Sequence, residues 1–203
     1  MAVNIIQDNA AAFCYDKLKE SAVKNEKRFV KYDKKLRLEA YWFQGILQRF
    51  PQHFHEYYVI GLVEKSGLRH MCYDNVDYYI TAGDVLLFNP RAPHNCEPMD
   101  NDLLDLRCLN IKPEIMRQAM LELTGSSELP LFTSPVLRGD ERTAALLREL
   151  HQMIMQEQDD LAKEEALYFL LEQLVAAGIS KMSAATKAPP VQKVTEYLLE
   201  HYT

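Results

Sequence analysis

Long hydrophobic runs, glycine and cysteine are all scarce in this chain of 203 residues. No apolar stretch approaches the roughly 20 residues that cross a bilayer, and charged residues stand near the start, where a signal peptide carries its apolar segment. We therefore expect a cytoplasmic protein. Seven glycines and 48% apolar residues argue against a fibrous or disordered chain. The four scattered cysteines form no CxxC pair, which predicts reduced thiols and no cysteine-based zinc site.

Positive charge is also in short supply. The chain has 23 basic and 29 acidic side chains, which leaves a formal net charge of −6. A surface that neutralises a row of phosphates needs the opposite sign. We therefore predict that this chain does not bind DNA by itself, and its length allows one domain with a helical extension.

The middle of the chain, residues 36–112, has the pattern of an antiparallel β structure. Short runs rich in β-branched and aromatic residues are separated by turn signals such as Lys65-Ser66-Gly67 and Asn89-Pro90. The predicted strands are residues 36–43, 54–64, 68–73, 76–81, 84–88 and 103–111. Many short strands with tight connections predict a sandwich or a barrel.

The segments on either side of this region do not have the sequence pattern of β strands. Residues 1–35 form a polar arm rich in Lys and Glu, part of which is predicted to be helical. Residues 113–179 are predicted to form a helical region, which ends in a helix with a leucine stripe. The stripe packs either on the barrel of the same chain or against a second copy, and we assign it as a dimer interface. Its members are Leu167, Leu170, Leu171 and Leu174.

Residues 180–203 look like a linker followed by the start of another helix. Small and polar residues fill 180–190, and then Val191, Val194 and Leu198 begin an amphipathic pattern. A natural protein rarely stops just after a new helix has begun. We therefore expect that a further domain is truncated here.

Three histidines are predicted to converge at one end of the barrel. Side chains alternate between the two faces of a strand, so a strand beginning at His53 places His53, His55 and Tyr57 on one face. A second run, residues 83–90, reaches a turn that presents His94.

These two stretches carry a resemblance to a known family. H-x-H at 53–55 and G-D-(apolar)4-N-P-x-x-P-H at 83–94 resemble the two sequence boxes of the cupin barrel. FPQHFHEYYVIGLVE and AGDVLLFNPRAPHNCEP are similar to the N-terminal sensing domain of AraC-type (AraC/XylS) transcription regulators. VQKVTEYLLEHYT looks like the opening helix of the double helix-turn-helix domain of that family. The resemblance covers roughly residues 40–203.

The resemblance implies both a fold and a function. The fold is α+β, an antiparallel cupin-like barrel of the jelly-roll type followed by a helical hairpin. The function is that of the ligand-sensing and dimerising part of a one-component transcription regulator. A small-molecule effector in the barrel would control DNA binding by the missing C-terminal domain, and the protein would be a homodimer.

Effector contacts are expected from polar groups set in apolar walls, as in most small-molecule sites. Arg107 is included because its guanidinium can fork onto a carboxylate or phosphate if its face lines the barrel. The alternative for Arg107 is a solvent-facing pair with Asp105. The predicted ligand-binding residues are His53, His55, Tyr57, His94, Trp42, Tyr78 and Arg107, with Leu86 as a further wall residue.

Neither a metal nor an enzyme activity is predicted. Metal-binding cupins carry a glutamate a few residues after H-x-H, whereas this chain has Val59, Ile60 and Gly61 there. No serine stands in a catalytic setting. The alternative is one divalent transition metal on His53, His55 and His94, with Cys96 as a conceivable extra ligand.

Three other functions stay open beside the regulator. The first is a cupin-type metalloenzyme that uses His53, His55 and His94. The second is a stand-alone small-molecule binding protein that ends naturally at Thr203. The third is a regulator whose barrel has lost ligand binding and serves only to dimerise.

Overall fold

The computed structural model describes residues 26–176 and the strand at 180–182. Most of the predicted arm, nearly all of the predicted linker and the start of the predicted DNA-binding domain lie outside these residues. None of the helices in the described part is long and apolar enough to cross a membrane.

Two large antiparallel sheets, a two-stranded sheet and three helices make up the described part of the chain. The larger sheet has the strand order β1-β2-β9-β4-β7-β11, the smaller one β3-β8-β5-β6, and β10 pairs with β12. This arrangement confirms the predicted cupin-like jelly-roll fold followed by helices. The strands are β1 Lys27–Asp33, β2 Leu38–Ile46, β3 Phe50–His53, β4 Tyr58–Lys65, β5 Arg69–Tyr73, β6 Val76–Ile80, β7 Val85–Phe88, β8 His94–Pro98, β9 Leu104–Ile111, β10 Pro130–Phe132, β11 Val136–Leu137 and β12 Ser180–Met182; the helices are α1 Pro113–Thr124, α2 Glu141–Met155 and α3 Asp160–Ala176.

The larger sheet is covered on both faces. Alternate residues of its central strands, such as Ile60 and Leu109, belong to a core shared with the helices. Their neighbours, such as Val59 and Cys108, belong to a second core shared with the smaller sheet. Because side chains alternate along a strand, one sheet thus separates two apolar interiors. The candidate site lies in the second one.

Helices α2 and α3 form the predicted hairpin and lie on the larger sheet. Asp140 is the N-cap of helix α2, and its carboxylate accepts a hydrogen bond from the Thr143 amide over 2.9 Å. The leucine stripe of α3 (Leu167, Leu170, Leu171 and Leu174) is at most 4% exposed and packs in the same core as the sheet. The assignment of these four residues as a dimer interface is therefore wrong, because the chain's own sheet already covers them.

Several segment boundaries also differ from the prediction. Residues 27–33, placed in the arm, form edge strand β1, which pairs along its whole length with β2. The Asp33 carboxylate closes the connecting turn by accepting from the amides of Lys35 and Leu36. Within the predicted helical region, β11 adds to the larger sheet beside β7. Residues 180–182, expected to open a linker, form β12.

Candidate functional site

A cavity of about 240 Å³ lies between the two sheets. Its walls are mostly apolar and include no aspartate, glutamate, lysine or arginine among the described residues. A few polar groups in an apolar wall are typical of small-molecule sites, and this volume suits a small ligand. The lining residues are Tyr41, Phe43, Phe50, His53, His55, Tyr57, Val59, Val63, Met71, Ile80, Leu86, Phe88, His94, Cys96, Leu104, Leu106, Cys108 and Asn110.

His53, His55 and His94, here called the histidine cluster, meet in the cavity wall. One ring nitrogen from each lies within 4.8 Å of the others. The ring centroids are 4.8 Å apart for His53 and His55, and 4.3 Å apart for His53 and His94. The predicted convergence is thus present, but its cause differs. His53 and His94 are cross-strand partners of β3 and β8, and the chain between β3 and β4 is not a strand.

Backbone carbonyl groups fix the orientation of two of these rings. Nδ1 of His53 lies 2.7 Å from the Pro51 carbonyl oxygen, and Nδ1 of His94 lies 3.0 Å from that of Ala92. A carbonyl oxygen only accepts, so each Nδ1 carries the proton and donates. In the neutral form of each ring, Nε2 is then the nitrogen that carries the lone pair.

The environment keeps the imidazoles of His55 and His94 neutral. Burial, with the neighbouring His94 and His53, lowers the pKa of His55 to about 4. Burial also lowers the pKa of His94 to about 4, with a smaller contribution from His53, although the Ala92 hydrogen bond opposes it. Both rings are therefore uncharged at neutral pH.

Two tyrosines extend the polar part of the wall. Tyr57 stacks on His55, with ring centroids 5.0 Å apart and planes 17° apart. The Tyr41 hydroxyl donates to a Glu39 carboxylate oxygen over 2.8 Å. Burial raises the pKa of both tyrosines. The cavity therefore presents imidazoles and phenols rather than carboxylate, ammonium or guanidinium groups.

Trp42 and Arg107 lie on the helix-facing side of the larger sheet, away from the cavity. The Arg107 guanidinium stands 4.1 Å from the Trp42 ring centroid, a cation–π contact, and its Nε donates to Glu64 over 2.7 Å. Trp42 and Arg107 therefore do not line the cavity, contrary to the prediction that they contact the ligand. The solvent-facing pair of Arg107 with Asp105 does not form either, since Asp105 accepts from the Gly45 amide.

Two further predicted residues have different positions. Tyr78 packs against the core around the cavity but is not among the lining residues. Cys96 lines the cavity but lies outside the three-residue group that meets the geometry of a metal site in the described chain. Burial raises the pKa of the Cys96 thiol, although the Arg69 guanidinium opposes this rise.

A polar cluster, here called the helix-side cluster, connects the larger sheet to α2. It comprises Glu64, Arg107, Arg148 and His151. His151 is fully buried; its Nε2 donates to the Tyr41 carbonyl oxygen over 2.6 Å, and its Nδ1 accepts from Arg107 over 3.2 Å. Burial lowers the pKa of His151 to about 4. Sequence reasoning missed this cluster, because no local pattern joins residues as far apart as Glu64 and Arg148.

Comparisons with known proteins agree with this architecture. The family model described as the AraC-like ligand binding domain matches residues 38–171. The chain is 45% identical over 183 residues to a Bacillus subtilis (strain 168) protein named "Uncharacterized HTH-type transcriptional regulator YbfI". That alignment covers 89% of this chain and 66% of the relative. The chain thus spans slightly less than two thirds of the relative's length.

Two solved cupin structures share low similarity with the chain. A Bordetella pertussis cupin domain is 14% identical, with a TM-score of 0.36, and the alignment covers 43% of this chain and 93% of that one. The Cnp3 cupin domain of Schizosaccharomyces pombe is 7% identical, with a TM-score of 0.38, and covers 43% and 64%. With scores this low, the fold assignment stands on the strand order and the family match. Because the matched region is well over half of the chain, this protein belongs to the family of AraC-like ligand binding domains.

Proposed function

We propose that this chain is the effector-sensing domain of a one-component transcription regulator that acts in the cytoplasm. The observation that carries the proposal is the mostly apolar cavity between the sheets, with the histidine cluster in its wall. Family membership and the name of the Bacillus subtilis relative favour ligand sensing over catalysis.

In this proposal Tyr41 connects the cavity to the helices. Its side chain lines the cavity, and its backbone carbonyl accepts the hydrogen bond from His151 of α2. Glu64 adds a second link, since its carboxylate pairs with Arg148 of α2 over 2.8 and 2.9 Å. A ligand that displaces β2 at Tyr41 would therefore also move α2. Such a ligand shifts the equilibrium only by the difference in its affinity for the two arrangements.

DNA binding is assigned to a C-terminal helix-turn-helix domain of the whole protein. The relative's name supports this assignment, and the net charge of −6 argues that this chain is not itself the DNA-binding surface. Ligand-driven movement of the helices would then alter the placement of that domain.

We propose homodimerisation through the outer surface of α3. Leu161 and Phe169 remain 64% and 57% exposed there, after the leucine stripe has packed on the sheet. Phe169→Asp should convert a dimer to a monomer in analytical ultracentrifugation. Leu121→Asp on α1, also an exposed leucine, is the matched control and should leave the dimer intact. A Phe169→Asp protein that stays dimeric would exclude this surface.

A ligand screen with a blocked cavity tests the sensing function. Compounds that bind the native fold raise its melting temperature by mass action. Leu106→Trp places a larger side chain in the cavity wall, and Leu131→Trp adds the same side chain at an exposed position outside it. True effectors should stabilise the wild type and Leu131→Trp but not Leu106→Trp. Equal stabilisation of all three proteins would place the binding site elsewhere.

A further inference from the structure

We propose that the effector is a monocarboxylate with an apolar body, and that its carboxylate binds against Cys96 at the end of the cavity where Arg69 is buried. This end, with Cys96 and Ile80 in the wall and Arg69 beside them, is here called the arginine end. The inference rests on the proposed sensing function and specifies the chemistry of the ligand. It assigns the charged group of the ligand to a part of the cavity away from the histidine cluster.

Arg69 lies on the inner face of the smaller sheet. Arg69, Met71 and Tyr73 are the buried residues that alternate along β5, and Met71 lines the cavity. The partner of Arg69 on β6 is Ile80, which also lines the cavity. At the other end of β5, Tyr73 pairs with His94 of the histidine cluster. At about 3.3 Å per residue, Arg69 is therefore about 13 Å along the sheet from that pair.

The positive charge of Arg69 is buried without a negative partner. The side chain is fully buried, and its terminal nitrogens lie 2.8 Å from the Gln48 carbonyl oxygen and 3.5 Å from that of Ile46. Within the described part of the chain, Nε has no hydrogen-bond partner and the guanidinium forms no ion pair with a carboxylate. A guanidinium group keeps its charge in proteins, and a buried charge without a counter-charge is costly. A ligand that brings a negative charge close to Arg69 removes part of that cost.

Cys96 connects this charge to the cavity. Its side chain is part of the cavity wall. Burial raises the pKa of the Cys96 thiol, and the nearby Arg69 guanidinium opposes the rise. The thiol is therefore protonated at neutral pH and can donate a hydrogen bond. A carboxylate that lies against Cys96 accepts from this thiol and is also close to the guanidinium.

The rest of the cavity favours a ligand with one negative charge and an apolar body. A phosphate monoester carries about two negative charges at neutral pH, and one guanidinium offsets only one of them. No lysine or arginine is among the lining residues, so the second charge would stay buried and unpaired. Phe50, Met71 and Leu104 supply apolar wall near the arginine end, and the volume of about 240 Å³ suits a small molecule.

Isothermal titration calorimetry with matched pairs of compounds tests the charge of the ligand. At about pH 7.5 hexanoate and benzoate are fully ionised. They should bind the wild type at least about 10-fold more tightly than hexanol and benzyl alcohol, because hydrogen bonds to charged groups are the stronger ones. The two alcohols have a similar shape and lack the charge. Alcohols that bind as tightly as the acids, or acids that do not bind, would overturn the proposal.

Arg69→Met tests the source of the positive charge. Methionine keeps an unbranched apolar side chain and removes the guanidinium, so hexanoate binding should weaken by at least about 10-fold and hexanol binding should not change. Arg117→Met is the matched control, because Arg117 is exposed on α1 and does not line the cavity. This control changes the net charge equally and should bind hexanoate as the wild type does. Equal affinity of Arg69→Met and the wild type for hexanoate would exclude Arg69.

Cys96 provides a second test that leaves Arg69 in place. Cys96→Val keeps a side chain of similar size without a donor, and it should weaken hexanoate binding more than hexanol binding. Cys96→Ser keeps a donor and should retain the affinity for hexanoate. Circular dichroism of each variant separates lost binding from lost folding. A folded Cys96→Val protein that binds hexanoate as tightly as the wild type would contradict the placement of the carboxylate at the arginine end.

The same titrations distinguish failure of this inference from failure of the sensing function. If neutral compounds bind and Leu106→Trp abolishes their binding, the cavity is still a sensing site, and only the anionic ligand is excluded. If hexanoate binds through Arg69 and leaves the DNA affinity of the full-length protein unchanged, the anion site stands and its role in sensing is excluded.

Discussion

Acidification from about pH 7.5 to about pH 4.5 should destabilise the chain through His151, and His151→Gln should remove much of that loss. The ring is fully buried and is hydrogen-bonded at both nitrogens in the neutral form. Its pKa is about 4 in the folded chain, against an ordinary value of 6.5. Glutamine can replace both hydrogen bonds, since its amide group donates and its carbonyl accepts.

The sign follows from which state takes up the proton first. As the pH falls below about 6.5, His151 becomes charged in the unfolded chain and stays neutral in the folded one. The free energy of unfolding therefore falls until the pH reaches about 4, where the folded ring also protonates. Between about pH 6.5 and about pH 4.5 the loss grows by about 1.4 kcal/mol per pH unit, which gives about 3 kcal/mol over about 2 units.

Urea unfolding followed by circular dichroism measures this loss. The fall in the free energy of unfolding across that pH range should be smaller in His151→Gln than in the wild type by about 2–3 kcal/mol. Other titrating groups act in both proteins and cancel in the difference. In the control His70→Gln the effect has the opposite sign, because Asp77 and Glu97 raise the pKa of His70. Wild type and His151→Gln with the same pH dependence would refute the reasoning.

Two further predictions concern buried contacts and use the same unfolding assay. Lys163→Met should lower the free energy of unfolding by about 3 kcal/mol, because Lys163 and Asp33 form a buried pair 2.5 Å apart. The exposed Lys35→Met control should lose less than about 0.5 kcal/mol. Gly61→Ala should cost about 1 kcal/mol, since a Cβ there lies 3.1 Å from the Cys108 sulfur. Adding Cys108→Ala should recover most of that loss. Equal losses in the two lysine variants, or no recovery in the double variant, would contradict these contacts.

The sequence predicted the barrel because its strands carry strong local signals. β-branched and aromatic runs bounded by turn residues mark β4 to β7 and β9. β3 and β8 were missed because they contain proline, histidine and asparagine. β8 pairs with β5 on one side, and β3 is added to the smaller sheet by its pairing with β8. That same pairing brings His53 and His94 together. The histidine cluster was therefore predicted correctly, but from a continuous strand that the structure does not contain.

The errors about the cavity wall arise because the larger sheet has two covered faces. Alternation along β9 separates Arg107 from Leu106 and Cys108, but it does not say which set faces the helices. Arg107 and Trp42 were assigned to the cavity and instead pack under α2. The sequence around Arg107 does not show that a helix more than forty positions later supplies its hydrogen-bond partner, His151.

The leucine stripe of α3 shows a similar ambiguity. An amphipathic helix must bury its apolar face, and the pattern is the same whether the partner is its own sheet or a second chain. Only the tertiary structure shows that Leu170 and Leu174 lie in the same core as sheet residues such as Ile60. Leu161 and Phe169 remain exposed on that helix. The sequence does not single them out, because they do not interrupt the periodicity of its apolar residues.

We have proposed that occupancy of the cavity controls DNA binding by the whole protein. The most direct test of this proposal is the DNA affinity of the full-length protein, measured by fluorescence anisotropy with and without the compound that most stabilises the wild type. The compound should change the affinity of the wild type and leave that of Leu106→Trp unchanged, while both proteins bind DNA in its absence. A Leu106→Trp protein that responds to the compound as the wild type does would contradict the account.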